Sequence, residues 1–141
     1  MAEGYRRADL KVLAEAKIKD ARLLLDNKRF ASAFYLAGYA IEVGLKACIA
    51  RRILSETIPD KTLINSTYDH DVGKLANVAG LASELKKEQA SNNMFAANWG
   101  IVGQWRVDSR YEMTDQFSAQ LMVQAVDDPS SGVLQWIRQH W

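Results

Sequence analysis

The chain has 141 residues, of which 48% are hydrophobic and 25% charged, and its formal net charge is +1. That length fits one domain with a sizeable core. The near-neutral balance excludes a strongly basic nucleic-acid coat and an acidic solvating tail, though not a local basic groove, and one cysteine, Cys48, excludes an intramolecular disulfide framework.

The N-terminal MAEGYRRADLK has no apolar h-region, so a cytoplasmic protein is the expectation. Leu10, Ala14, Ile18, Ala21 and Leu25 recur at three- and four-residue steps and predict a first helix over Ala8–Leu25. Asp26-Asn27-Lys28 is too short for anything but an antiparallel hairpin turn. A second helix is predicted over Arg29–Leu54, where Ala33, Ala37, Gly38, Ala40 and Gly44 allow a neighbouring helix close approach.

Phe30 to Ala50 carries only two charges, Glu42 and Lys46, at the favourable i, i+4 order for a helix. Buried charge is costly unless it is answered. The pair is therefore either solvated on a narrow exposed strip or met by each other, a partner residue or a ligand. The run is long enough to span a bilayer, but two central charges and the lack of a second such stretch favour the core helix of a soluble protein. Cys48, on the same run, reads as a small buried hydrophobe.

Ser55 to Asp69 is polar, contains Pro59 and reads as a connecting loop. A short helix is expected near His70, with Asp69 or Thr67 as N-cap, carrying Val72, Leu75, Ala76 and Ala79 and stopping at Gly80. Ser83 to Gln89 reads as a further helical turn or two. Phe95, Trp99, Val102 and Trp105 suggest another helical segment. Thr114 to Val126 reads as a helix with Phe117, Leu121, Met122, Ala125 and Val126 inward. Asp128-Pro129 is a cap-plus-N1 signal for a last helix ending at Trp141. No strand alternation is sustained, so the fold expected is all-α: an up-and-down bundle of four to six helices, one domain over residues 1–141.

Two polar clusters stand out in the second half. His70 and Lys74 lie one turn apart at a helix start, and Trp105-Arg106-Val107-Asp108-Ser109-Arg110-Tyr111 packs two arginines among aromatics. Guanidinium groups beside aromatic faces suit phosphates and stacked bases. The plainer use of Arg106 and Arg110 is pairing with Asp69, Asp71 or Glu42, and a lone histidine is more often structural than a ligand. The candidate phosphate- or ligand-binding residues are His70, Lys74, Arg106, Arg110 and Tyr111, with Glu42 and Lys46 as a buried polar pair expected to join them. Two histidines and one cysteine make no zinc site of usual composition, and no phosphate loop, dinucleotide turn, HExxH or GxSxG motif occurs. No metal and no cofactor is expected.

Set in order, these pieces resemble the HEPN family of small helical domains, found in prokaryotes and often encoded beside nucleotidyltransferases. The resemblance rests on Ala21–Leu25 with Phe30–Tyr35, on Gly38-Tyr39-Ala40-Ile41-Glu42 with Leu45-Lys46-Ala47, on His70-Asp71-Val72-Gly73-Lys74-Leu75, and on Trp105 with Arg110-Tyr111. It covers about Leu10 to Val126. The family includes toxin ribonucleases in which an Arg is followed, after four to six intervening residues, by a His. This chain departs from that spacing at both His70 and His140, so no catalytic residue is carried over. The branch with His-Asp-Leu and Arg-Tyr motifs is the closer likeness. It implies a non-catalytic module for a nucleotide, RNA or a nucleotidyltransferase partner. The alternative is a metal-independent endoribonuclease using His70 with Arg106 or Arg110. A two-fold homodimer is a further expectation, from the family and from the four tryptophans between Trp99 and Trp141.

Overall fold

The computed structural model describes residues 4–141. Among them are eight α-helices, one 3-10 helix and no strand. The helices are α1 (Arg7–Asp26), α2 (Phe30–Arg52), α3 (Lys61–Ser66), α4 (Val72–Val78), α5 (Ala82–Ser91), α6 (Asn93–Val102), α7 (Gln116–Asp127) and α8 (Val133–Arg138), with the 3-10 helix Val107–Tyr111 between α6 and α7. The all-α architecture is the one expected. The count exceeds four to six because short helices occupy stretches where the apolar period is weak.

α2 is the axis of the molecule. It packs most extensively on α1 and also touches α4, α7, α8 and the 3-10 helix. Ala33, Ala37, Ala40, Ile41, Leu45, Ala47, Cys48 and Ile49 are all buried, which leaves little of the helix for solvent. Among the described residues, Phe30–Arg52 alone is long and apolar enough to cross a membrane, and 67% of its apolar 18-residue stretch is buried inside the bundle. It is a core helix. Burial pushes the Cys48 thiol up to about 11, so it stays a neutral thiol. The α1–α2 turn is closed by Lys28 in the left-handed region (φ 61°) and by the Arg29 N–H donating to the Leu24 carbonyl at 2.8 Å.

Glycines set two of the close approaches. A Cβ at Gly38 would stand 2.1 Å from Trp105, so the indole rests on bare α2 backbone. A Cβ at Gly44 would stand 3.1 Å from Ile137, where α8 crosses the same helix.

Several local expectations are corrected. The segment before His70 is not all loop: Asp60 caps α3 by accepting from the Thr62 and Leu63 N–H groups. α3 buries no residue and so leaves no apolar period to read. The N-cap of α4 is Asp71, not Asp69 or Thr67. Trp105 lies beyond the end of α6. Phe117 does not face inward; it is 69% exposed on the first turn of α7. Asp128-Pro129 does not open the last helix. The Asp128 carboxylate instead accepts from the Ser131 N–H and the Ser130 hydroxyl, forming a turn, and α8 starts after Gly132.

The C-terminal aromatics are also not the free face that a dimer was expected to use. Trp136 and Ile137 are buried in the chain's own core, and Arg138 forms a two-pronged pair with Glu15 of α1 at 2.7 and 2.8 Å. Arg7 and Arg51 donate to the Trp141 and His140 carbonyls.

Candidate functional site

Tyr35, Tyr39, Glu42 and Lys46 are spaced i, i+4, i+7, i+11 and so form one stripe along α2. The two tyrosine rings stack 5.8 Å apart. Burial and the nearby Glu42 carboxylate push the Tyr39 phenol up. Glu42 is 2% exposed, so the solvated-strip reading of its charge does not hold. Each oxygen has its own partner: Lys46 Nζ donates to Oε2 at 3.4 Å, and His70 Nδ1 meets Oε1 at 2.8 Å. A carboxylate only accepts, so Nδ1 bears the hydrogen.

His70 is placed by its neighbours. Asp69 accepts from the Asp71 N–H at 2.8 Å, and Asp71 accepts from the Lys74 N–H at 3.0 Å. These two side-chain-to-backbone bonds form a tight turn and helix cap that direct the His70 ring at α2. The Asp71 N–H holds the Asp69 carboxyl below its ordinary range, outweighing the opposing effect of burial, with lesser help from the His70 backbone and Lys74. The ring remains half exposed, at 52% for its side chain, and Nε2 has no partner among the described residues.

The opposite wall is built by the segment after α6. Trp105 is 1% exposed, tilts against Tyr35 and donates its indole N–H to the Tyr35 carbonyl at 3.2 Å. The Arg106 N–H donates to the buried Ser109 hydroxyl at 3.3 Å, starting the 3-10 helix. Between the two walls lies a cleft of about 410 Å³, lined by Asp69, His70, Asp71 and Trp105 to Asp108.

The candidate residues thus divide. Glu42, Lys46 and His70 form one connected cluster, and His70 and Arg106 face one cleft. Lys74 stands outside the lining, 4.0 Å from Asp69. Arg110 lies 4.9 Å over the Tyr111 ring, and the phenols of Tyr111 and, to a lesser extent, Tyr35 push its guanidinium up. It joins the tyrosine end of the stripe and not the carboxylate. Neither Arg106 nor Arg110 pairs with a carboxylate among the described residues. Tyr35 and Tyr39 carry the family resemblance but were not among the candidate site residues, although their spacing from Glu42 put them on its face. No group of described residues is arranged to hold a metal ion.

A model of the HEPN domain matches residues 8–139, nearly the whole chain. The chain belongs to the HEPN family. The bundle, its long buried α2 and the joining of Glu42 with His70 agree with the order of motifs that suggested it. No curated protein and no solved structure matches the chain. Membership makes this HEPN domain a nucleotide- or RNA-related module of a family whose members are often ribonucleases or associate with nucleotidyltransferases.

Proposed function

We propose that this HEPN domain is a non-catalytic cytoplasmic binding module whose cleft takes the phosphate of a nucleotide or of RNA. One observation carries the reading: His70, anchored through Nδ1 on the buried Glu42 and with no partner for Nε2 among the described residues, lines the same cleft as Arg106. An imidazole N–H and a guanidinium are both charge-assisted donors to phosphate oxygens when the ring is protonated. Two of the three aspartates of the lining already accept from backbone N–H groups, which weakens their opposition to an anion. The test is thermal unfolding with adenosine 5′-monophosphate. Protection in the wild type that falls in His70→Ala and Arg106→Ala supports the reading. Docking on a nucleotidyltransferase is the protein-binding form of the same non-catalytic role.

A second reading is favoured by the Glu42–His70 contact itself. A histidine oriented by a carboxylate is suited to general-base work, and Arg106 is available for charge on a phosphorane. It ranks lower because the family's ribonuclease spacing is absent. Metal-independent cleavage of RNA by the purified protein, lost in His70→Ala, would reverse the order.

A further inference from the structure

The Glu42–His70 contact also determines where on the ring a proton is exchanged. Oε1 of Glu42 is 2.8 Å from Nδ1, and an acceptor-only oxygen keeps a hydrogen on that nitrogen in the neutral and in the charged ring. The remaining nitrogen, Nε2, has no partner among the described residues, and the ring lines the cleft. We infer that binding at this cleft is proton-coupled: Glu42 is a positioning residue that holds the Nδ1–H tautomer, so the proton His70 takes up is carried on Nε2, against the bound phosphate. The inference rests on the phosphate-binding reading above.

The charged and titratable groups on the elements around His70 are compatible with this. From α2, the Tyr39 phenol is raised by burial and by Glu42, and so stays neutral, while Lys46 is committed to the other oxygen of Glu42. From the turn, Asp69 and Asp71 accept from backbone N–H groups, and Lys74 stands 4.0 Å from Asp69. From the facing wall come Arg106, a fixed positive charge, and Asp108, which has no side-chain partner among the described residues. Imidazole is the side chain of this set whose charge changes around neutral pH. A phosphate entering between Arg106 and His70 favours the protonated ring, and the proton comes from solvent.

Two measurements on the full chain test this. In calorimetry with adenosine 5′-monophosphate near pH 7, titrations in two buffers of different ionisation enthalpy should report net uptake of part of one proton, absent in His70→Gln. Two-bond proton–nitrogen spectra should show the neutral His70 ring with its hydrogen on Nδ1. Glu42→Met, which keeps the volume but removes the acceptor, should shift the neutral ring toward the Nε2–H form. Glu42→Gln, whose amide oxygen still accepts, should restore the Nδ1–H form. The wild-type spectrum decides the tautomer even if Glu42→Met fails to fold. A neutral wild-type ring with its proton on Nε2 overturns the inference, and so does equal proton uptake in His70→Gln. Tight nucleotide binding with no proton uptake overturns it but leaves the binding reading standing. Absence of nucleotide binding at every pH overturns both.

Discussion

Asp108 sets the sharpest expectation at the scale of single residues. It lines the cleft without a side-chain partner among the described residues, while Asp69 and Asp71 are occupied. An unpaired carboxylate opposes a phosphate and attracts a cation. Asp108→Asn should therefore tighten adenosine 5′-monophosphate binding, by about threefold at low salt, with the gain shrinking as ionic strength rises. Weaker binding in this variant would mean that the Asp108 carboxylate assists the nucleotide, by accepting a hydrogen bond from it, and does not repel it. The Glu42 environment was legible in the sequence because the cost of burying charge demands an answer, and His70 supplies it. Arg110 was not legible in the same way. An arginine beside a tyrosine has two uses, ring face or carboxylate, and only the fold chooses between them.

At the scale of elements, the site depends on how closely the segment after α6 approaches α2. Gly38→Ala would gain about 1 kcal/mol of helix propensity. It would also drive a methyl into the Trp105 indole, whose displacement costs about 1–3 kcal/mol. Net destabilisation in urea is expected, with a red-shifted tryptophan emission and weaker nucleotide binding, because Trp105 forms one cleft wall. A second expectation concerns α8 and α1. The Arg138 bond holds the Glu15 carboxyl below its ordinary 4.5, against the smaller effect of burial. Its stabilising contribution is present above that ordinary value and is lost as pH falls through the lower folded one. Arg138→Met should remove that part of the acid sensitivity: its urea midpoint should approach the wild-type midpoint on going from about pH 6 to about pH 3. An unchanged gap between the two proteins would show that the pair contributes no pH dependence.

Most element positions could be read from apolar period, and the misreadings have physical causes. α3 is defined by an Asp60 cap with no buried face. Pro129 satisfies a helix-start pattern, yet Asp128 reaches Ser131 first and makes a turn. Phe117 has the right spacing for α7's inner face but lies in its first turn, beyond the core.

At the scale of the molecule, the C-terminal segment is part of the core. Leu134 and Ile137 are fully buried, and Ile137 lies against Gly44 and Cys48 of α2. Ile137→Ala should cost about 2–5 kcal/mol in urea denaturation. A chain lacking Gly132–Trp141 should lose cooperative unfolding, because it gives up several such side chains at once against a total stability of about 5–15 kcal/mol. A truncated chain that unfolds cooperatively and merely changes mass in light scattering would show that α8 serves an interface instead. A two-fold dimer of the intact protein would have to use another face. Exposed Tyr111, Met113 and Phe117, from 76% through 96% to 69%, show where apolar surface remains.

The three-residue turn between α1 and α2 has a kinetic consequence. These two helices share the most extensive packing in the molecule and are neighbours in sequence, so their contacts close the shortest loops. The cleft, in contrast, requires partners 28 residues apart, at Glu42 and His70, and 70 apart, at Tyr35 and Trp105. The hairpin should form the folding nucleus, and the binding site should assemble after the rate-limiting barrier. Ala-to-Gly changes within the α1–α2 contact are then expected to slow refolding, whereas Trp105→Phe should mainly hasten unfolding. This protein should therefore acquire its shape before it acquires its site, and variants of the cleft should shorten the lifetime of the native state without delaying its formation.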